Sequence, residues 1–333
     1  MEKDILNLNE DIHFESRIDL DELSKSINSV RCELKKVIVG QDNMIEHLLV
    51  AMLTGGHVLL EGVPGIAKTI AVKLLAKTMD VKFSRIQFTP DLMPSDILGT
   101  SVFDLKKSEF EFRPGPIFSN LVLIDEVNRA PAKTQAALFE VMEEHQITLD
   151  GKTYEMDNPF LVIATQNPIE QEGTYRLPEA QLDRFMFKVV INYPALEDEY
   201  EIIRREHAAA EGDKTAEVQK AISGTQISNY QSIVRNVNVE ENLMRYIAQI
   251  VNSTRDNPFL YLGASPRASL AIMNASKGFA VLRGRDFITP EDIKESAVSV
   301  LQHRLIVSPE KEMEGVKAEE IVKQIVETIE IPR

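Results

Sequence analysis

The sequence is poor in cysteine, tryptophan and long apolar runs, and these shortages exclude several classes of protein. Cys32 is the single cysteine in 333 residues, so no intramolecular disulfide can form, which is typical of a reducing compartment. The acidic start, residues 1–4, lacks the apolar stretch of a signal peptide. The longest apolar run, residues 48–53, is too short to span a bilayer. We therefore expect a cytoplasmic protein.

Positive charge is also scarce. The 37 lysines and arginines face 52 aspartates and glutamates, which gives a formal net charge of −15. Such a chain repels a phosphate backbone on average, so nucleic acid is a poor default partner, although a local basic groove remains compatible with this balance. The composition, 44% apolar and 27% charged, is typical of a globular protein, and the length favours two domains.

One glycine-rich stretch follows an apolar strand pattern and opens a helical one. Residues 58–60 are apolar, and Lys68 and Thr69 begin a helix that runs to about residue 76. Strand, loop and helix in this order predict a P-loop, in which backbone N–H groups and a helix N-terminus bind phosphate. Lys68 would reach the β- and γ-phosphates, and Thr69 would bind Mg²⁺. The predicted nucleotide-binding residues of the loop are Gly62, Val63, Pro64, Gly65, Ile66, Ala67, Lys68, Thr69 and Ile70.

The P-loop pattern has one departure, because Ala67 stands where the consensus has a glycine. Alanine fits most of such a loop, but not a φ angle that only glycine can reach. The stretch taken alone also fits a Gly-Pro turn after a buried strand, with Lys68 as an ordinary exposed lysine. The motifs that follow decide between these interpretations.

A second apolar strand ends in two carboxylates. Leu121 to Ile124 run directly into Asp125 and Glu126. A strand that is apolar on both faces belongs inside a parallel sheet, and ligands bind at the carboxyl ends of such strands. This predicts a Walker B motif, with Asp125 holding Mg²⁺ and Glu126 polarising the attacking water. The alternative is a pair of solvated acids, which the upstream P-loop makes less probable because phosphoryl transfer needs both parts.

Three further polar residues are candidates whose spacing alone leaves their roles open. Asn167 follows the apolar strand 160–165. Its side-chain amide would hold the attacking water there, or the residue is simply part of an Asn-Pro turn. Arg184 has no acidic residue in its own helical turn that can face it, which favours a surface cation. Arg267 lies in the first turn of a helix, where a cation opposes the dipole, so we expect an anion to compensate it.

The chain divides into three parts: a flexible tail (1–20), a core with all the buried-strand patterns (21–193) and a second part (194–333). Two hairpins are predicted in the core, at 99–118 and 147–154, and Asp150-Gly151 would give the latter a type I′ turn. Only helical patterns occur after residue 194, so the second part is predicted to be all-helical. Its expected helices span 197–211, 216–223, 228–235, 240–255, 265–282, 290–301 and 318–329.

Together and in this order, the motifs resemble those of AAA+ ATPases, and most closely those of the MoxR family. The P-loop at 62–69, including the alanine before the lysine, is similar to the MoxR P-loop, and so are residues 123–131, 164–168 and 177–185. The resemblance covers about residues 25–330. It implies an α/β fold: a P-loop NTPase core with a parallel sheet flanked by helices, plus a smaller all-α lid domain.

The resemblance also implies roles that spacing does not give. Asn167 matches sensor 1, Arg184 matches the arginine finger that reaches the neighbouring subunit's γ-phosphate, and Arg267 matches sensor 2 of a lid that closes over the phosphates. Arg129 and Arg176 are weaker candidates for contacts across the subunit interface. The segment expected to lie against adenine is Val39, Gly40 and Gln41.

The function implied by the resemblance is Mg²⁺-dependent hydrolysis of ATP by a ring, usually a hexamer, whose hairpins face a central pore. Such a chaperone-like ring would remodel or activate protein clients, which in MoxR relatives include von Willebrand factor A domain proteins and often involve cofactor or metal insertion. Two alternatives remain. One is a DNA-dependent motor related to helicases, which the acidic balance disfavours. The other is a nucleotide-gated scaffold with little turnover, which the presence of Glu126, Asn167 and Arg184 together disfavours.

Overall fold

The computed structural model describes residues 19–168, 174–175, 177–208 and 214–332. Nearly all of the expected tail (1–20) lies outside these residues, and so does Arg176. The strands are β1 (Val58–Glu61), β2 (Met79–Asp80), β3 (Phe83–Gln87), β4 (Gly99–Asp104), β5 (Glu109–Pro114), β6 (Leu121–Asp125), β7 (Gln146–Leu149), β8 (Lys152–Glu155), β9 (Leu161–Gln166), β10 (Phe187–Val190), β11 (Ile222–Ser223), β12 (Leu260–Leu262) and β13 (Ile306–Val307). The helices are α1 (Asp21–Lys35), α2 (Asp42–Thr54), α3 (Lys68–Thr78), α4 (Pro94–Leu98), α5 (Ala132–Glu144), α6 (Glu179–Leu182), α7 (Leu196–Ala208), α8 (Gly224–Arg235), α9 (Glu241–Ser253), α10 (Pro266–Leu282), α11 (Pro290–Leu301), α12 (Pro309–Met313) and α13 (Ala318–Thr328).

The centre of the fold is a five-stranded sheet in the order β10-β1-β9-β6-β3, in which every neighbouring pair is parallel. The parallel sheet predicted from the apolar strands is confirmed. Because all five strands point the same way, their carboxyl ends share one edge of the sheet. The loops after β1, β6 and β9 therefore meet at that edge.

The strands are apolar throughout because both faces of the sheet are covered. Leu121 and Leu123 of β6 belong to a hydrophobic cluster with α1, α2, α3 and the second part of the chain. Val122 and Ile124 point the other way, into a cluster with α4 and α5. All four side chains are fully buried. Burial on two faces is the physical reason for a continuous apolar run in place of alternation.

Both predicted hairpins form, as β4–β5 and β7–β8. Asp150 and Gly151 have φ angles of 51° and 75°, and positive φ at both turn positions confirms the type I′ turn. A hydrogen bond from Ser101 Oγ to Asp150 Oδ2 joins the two hairpins. The rings of Phe112 and Tyr154 also pack across them, with centroids 4.3 Å apart. The two hairpins therefore form one unit.

The second part is helical as expected, with two departures. The helix predicted at 216–223 is wrong, because Ile222–Ser223 forms β11, which pairs with β2 of the core. Ile222 is buried there, and Ser223 is already the N-cap of α8. The helical lid also contains a short antiparallel pair of strands, β12 and β13, which the sequence did not predict. Strands of two or three residues are too short to show an alternating pattern in the sequence.

No helix among the described residues combines the length and apolar character that crossing a membrane would require.

The start of β1 is anchored by a buried histidine. His57 Nδ1 accepts a hydrogen bond from the backbone N–H of Val162 at 3.0 Å, and its Nε2 lies 3.1 Å from the carbonyl oxygen of Met142. A backbone N–H can only donate, so Nδ1 is unprotonated and the ring is neutral, with Nε2–H donating. Burial lowers the pKa of His57 from 6.5 to about 4, and the weaker charge repulsion from His145 acts in the same direction.

This pKa predicts loss of stability in acid. As pH falls through 6.5, His57 of the unfolded chain takes up a proton that the folded chain refuses until about pH 4. The free energy of unfolding should fall over this range by about 3 kcal/mol on account of His57. His57→Gln should reduce the difference in unfolding free energy between pH 7 and pH 4.5, measured by urea unfolding, by about 2 kcal/mol. The exposed His207→Gln is the control, and an unchanged slope in His57→Gln would contradict the assignment.

Candidate active site

The P-loop joins β1 to α3, and three of its residues have unusually close surroundings or unusual backbone angles. A Cβ on Gly62 would lie 2.5 Å from Ile66 Cδ1 and 2.8 Å from the Ile191 carbonyl oxygen, so only glycine fits there. Gly65 has a φ of 87°. Ala67 has φ 65° and ψ 14°, which is the left-handed region. Alanine reaches this region at a cost of about 1–2 kcal/mol, so the departure from the consensus is accommodated with strain.

Lys68, the first residue of α3, is held by the loop. Its Nζ donates to the carbonyl oxygen of Gly62 and, at 3.3 Å, to that of Gln166. Burial lowers the pKa of Lys68, while the nearby carboxylates of Asp125 and Glu126 oppose this effect. The ammonium group therefore lies between β1 and β9 at the carboxyl edge, bonded to neutral oxygens. Phosphate oxygens would offer it stronger, charge-assisted bonds.

The carboxylate of Asp125, at the end of β6, is only 6% exposed and bonds several polar side chains. Oδ1 accepts from the hydroxyls of Thr69 at 3.1 Å and Thr165 at 3.2 Å. Oδ2 pairs with Arg85 Nε at 2.6 Å. The structure thus brings together Thr69 and Asp125, the two predicted Mg²⁺ ligands.

This donor set fits Mg²⁺. A hydroxyl and a carboxylate are hard oxygen donors, and Mg²⁺ is commonly held by one or two carboxylates together with substrate phosphates. Within residues 19–168, 174–175, 177–208 and 214–332, no group of three or more His, Cys, Asp or Glu side chains could cage a metal by itself. Any metal here would depend on the phosphates for further ligands.

Glu126 follows Asp125 in a strained conformation, with a φ of 58°. Its backbone N–H donates to Thr165 Oγ1 at 3.1 Å, which fixes the turn. Gln87 Nε2 donates to its Oε2 at 2.8 Å, and Arg129 Nε lies 3.1 Å from the same oxygen. Left-handed conformations of residues other than glycine occur at sites where the surroundings enforce them. Here the bonds with Thr165, Gln87 and Arg129 enforce this conformation and orient the Glu126 carboxylate toward the cleft.

Residues of the P-loop, β6 and β9 line one cleft of about 440 Å³. Asn167 is one of them, at the end of β9 as expected, whereas the predicted P-loop residues Gly62, Val63 and Ile66 do not line it. The residues that line the cleft are Pro64, Gly65, Ala67, Lys68, Thr69, Ile70, Arg85, Gln87, Asp125, Glu126, Thr165, Gln166 and Asn167.

The segment predicted to meet adenine, residues 39–41, lies at the same edge. Gln41 Nε2 donates to the carbonyl oxygen of Asn192 at 3.2 Å, just beyond β10. Gly40 is packed against the side chain of Asp198 in α7, since a Cβ there would lie 2.5 Å from Asp198 Oδ2. Because β10 is the neighbour of β1, this segment lies beside the P-loop.

Arg184 and Arg267 share one carboxylate, that of Glu143 at the end of α5. Arg184 Nη2 lies 2.7 Å from Glu143 Oε2, and Arg267 forms an ion pair with Oε1. The hydrogen bond from Arg267 and the positive charges of both arginines lower the pKa of Glu143. Glu143 is the anion that the position of Arg267 in the first turn of α10 led us to expect.

The location of this cluster corrects the expectation for Arg267. Arg184 precedes β10, and the groove it shares with Arg267 includes Gly55, Gly56 and His57, which precede β1. These are the amino ends of the strands, whereas the P-loop follows the carboxyl end of β1. Four residues of strand separate the two edges by about 13 Å. In this structure Arg267 does not close over the P-loop of its own chain.

Sequence reasoning missed Arg85, Gln87, Thr165 and Glu143. Arg85 and Gln87 are two residues apart on β3, so both side chains project from the same face of the strand. The predicted strand contained that information, but its position beside β6 was not evident. Glu143 lies on a helix pattern that gave no indication of its arginine partners.

Comparison with known proteins agrees with this geometry. A family model described as "ATPase family associated with various cellular activities (AAA)" matches residues 57–187, and one described as "AAA lid domain" matches residues 252–325. Chaperone MoxR1 of Mycobacterium tuberculosis is 44% identical over 310 residues, covering 90% of this chain and 81% of its own length. The chain belongs to the MoxR family of AAA+ ATPases.

Two further relatives support the membership. Protein YeaC of Bacillus subtilis is 44% identical over 299 residues, covering 90% of this chain and 92% of its own. A crystal structure of a provisionally assigned ATPase from Cytophaga hutchinsonii is 46% identical, with a TM-score of 0.86, covering 94% of this chain and 97% of that one. This MoxR-family protein is accordingly an ATPase, and the cleft is its candidate nucleotide site.

The strain at Ala67 predicts an unusual stability effect. Ala67→Gly should raise the free energy of unfolding by up to about 1 kcal/mol, because relief of the left-handed strain exceeds the greater entropy of glycine in the unfolded chain. Ala136→Gly, at an exposed position within α5, is the matched control and should lose about 1 kcal/mol. Equal losses in both variants, measured by urea unfolding, would mean that Ala67 is not strained.

Proposed function

We propose that this ATPase hydrolyses Mg²⁺-ATP in a site shared between two subunits of a ring, and uses the energy to remodel partner proteins. The observation that carries the proposal is the separation of Arg184 from the P-loop across the sheet. Both arginines lie at the amino edge, so they can complete only the cleft of another chain. Rings, usually hexamers, provide such head-to-tail contacts.

Within the cleft, each predicted residue has a distinct task. Lys68 and the backbone N–H groups of residues 62–67 would bind the phosphates and oppose the charge that develops on the γ-phosphoryl oxygens. Glu126 would accept a proton from the attacking water, which Asn167 would hold. Bound Mg²⁺, held by Thr69 and Asp125, would neutralise further phosphate charge. Residues 39–41 would lie against adenine.

The neighbouring subunit would contribute the cations. Arg184, and Arg267 beside it on Glu143, would exchange that carboxylate for the γ-phosphate of the adjoining chain. An arginine finger contributes about 10³- to 10⁵-fold in rate, so an isolated subunit should be nearly inactive. Arg129, close to Glu126 in the cleft, is better placed to act in its own chain than across the interface.

A protein client is favoured by the joined hairpins. The tip of β4–β5 exposes Phe103, Leu105 and Phe110, which are 45%, 85% and 71% exposed. Exposed apolar groups of this size commonly mark contacts with other proteins. The name of the relative Chaperone MoxR1 is consistent with a chaperone-like role. A von Willebrand factor A domain protein, and assistance in cofactor or metal insertion, are the specific clients and tasks that the MoxR resemblance suggests.

The two alternatives are less well supported. A DNA motor would need basic hairpins, but Lys107 lies 3.6 Å from Glu111 in an ion pair, and acidic residues flank it. A scaffold without turnover would not need Glu126, Asn167 and a positioned Arg184. Stimulation of ATPase activity by DNA would favour the first alternative, and absence of turnover would favour the second.

The proposal predicts that Glu126→Gln loses turnover but keeps ATP binding. Loss of the general base should lower kcat by about 10²- to 10⁴-fold. Fluorescent ATP analogue binding should stay within a few-fold, because glutamine keeps the shape of Glu126, whose carboxylate bonds Gln87 and Arg129 and not the loop backbone. Glu320→Gln, on the exposed face of α13, is the control. Full turnover by Glu126→Gln would contradict the assigned role.

A further inference from the structure

The turn that carries Arg184 is held by an arginine of the lid. Arg304 lies just after α11, and its Nε donates to Asp183 Oδ1 at 2.7 Å. Its Nη2 donates to the carbonyl oxygens of Asp183 at 3.1 Å and Phe185 at 2.7 Å. The Arg304 guanidinium therefore hydrogen-bonds to the backbone on both sides of Arg184.

Arg304 is buried to an extent that is rare for arginine. Its side chain is 4% exposed, and Nη1 donates to the carbonyl oxygens of Met186, at 3.2 Å, and Val300. Burial lowers the pKa of Arg304, while the bond to Asp183 opposes this effect. A buried guanidinium is tolerated only when its donors are satisfied. Any shift of the turn relative to α11 would break several bonds together.

Other lid residues converge on the same turn. Ser265 Oγ, at the start of α10, donates to Asp183 Oδ2 at 3.3 Å. His303 Nε2 lies 3.0 Å from the carbonyl oxygen of Phe185. Arg267 of α10 reaches Glu143, which also holds Arg184. The position of the turn is thus set by α10 and α11 of the same chain.

We propose that Arg304 is a positioning residue for the arginine finger: through it, the lid of one subunit sets the place of Arg184 in the site of the next. The inference rests on the proposed function, because it requires Arg184 to act across the interface. Its consequence is a route between neighbouring sites. Movement of a lid that accompanies nucleotide binding in one subunit would move the finger donated to the adjoining one.

The simpler interpretation is that Arg304 only ties the lid to the core. The two interpretations differ in which site is damaged. A structural tie would impair the subunit that carries the substitution. Loss of a positioning residue would leave that subunit's own cleft intact. It would impair only the cleft of the neighbouring subunit, which receives the misplaced Arg184.

The experiment uses Arg304→Lys in the full chain. Lysine keeps the charge opposite Asp183, but the three N–H donors on its single nitrogen cannot replace the bonds that Arg304 makes to five oxygen atoms. We expect kcat to fall about 10- to 100-fold, as for a misplaced catalytic group, with the KM for ATP within twofold of wild type. The measurement is then repeated after mixing with an equal amount of Glu126→Gln, whose cleft is inactive but whose Arg184 is intact.

In the mixture, activity should recover to about a quarter of wild type, because half of the clefts are competent and half of those receive an intact finger. Arg184→Ala mixed with Glu126→Gln is the reference and should recover equally. Gln302→Ala is the matched control. It removes a lid–core hydrogen bond to the Lys188 carbonyl oxygen, 2.6 Å long, without touching the turn, and should keep wild-type activity.

The outcomes separate the two proposals. If Arg184→Ala recovers and Arg304→Lys does not, the positioning role is overturned and the shared site stands. If Arg184→Ala itself fails to recover, the shared site is wrong. Should Arg304→Lys not fold, Asp183→Asn removes the carboxylate charge that holds the Arg304 guanidinium against the turn, and a loss of activity that recovers in the mixture is expected. Full activity of Asp183→Asn on its own would overturn the positioning role.

Discussion

The direction of the five strands is the constraint on which the rest of the structure depends. Since all of them run parallel, every group that follows a strand lies at one edge, and every group that precedes a strand lies at the other. The P-loop and Glu126 follow strands and Asp125 ends one, whereas Arg184 precedes one. The length of β1 therefore keeps the P-loop and Arg184 of the same chain apart. No side-chain movement spans that distance.

A carboxylate pairs with arginine at each edge of the sheet: Asp125, which is buried, and Glu143, which is exposed. In the cleft, Asp125 pairs with Arg85 and accepts from two hydroxyls. At the opposite edge, Glu143 holds Arg184 and Arg267. In both places a phosphate would compete with an internal carboxylate for the same positive charge. Under the proposed function, binding of nucleotide and contact with a neighbour would therefore be exchanges of ionic partners, which would lower the net affinity of both.

Local features of the fold could be predicted from the sequence, and long-range ones could not. The type I′ turn at Asp150-Gly151 and the apolar strand before Asp125 depend on neighbouring residues alone, so short patterns identify them. The pairing of Arg184 with Glu143 depends on how α5 crosses the sheet, about 40 residues away in the chain. Within the misread segment 216–223, residues 222–223 form a strand because β2 offers them an edge.

The same limit applies to the candidate site. The family resemblance assigned Arg267 a role at the phosphates. A short motif indicates such a role, but it does not indicate where the lid attaches to the core. In this structure α10 and α11 attach at the amino edge, through Ser265, Arg267 and Arg304, so the cation faces away from its own P-loop. Strand order and lid attachment are set by packing between distant elements, and packing is not encoded in any short stretch.

If one active site requires two chains, ATP turnover per subunit must depend on assembly. Turnover is measured against protein concentration at saturating Mg²⁺-ATP, with particle mass recorded at each concentration. We expect turnover per subunit to rise with concentration as assemblies replace single chains, and then to reach a plateau. Constant turnover per subunit, down to concentrations at which only single chains remain, would contradict it.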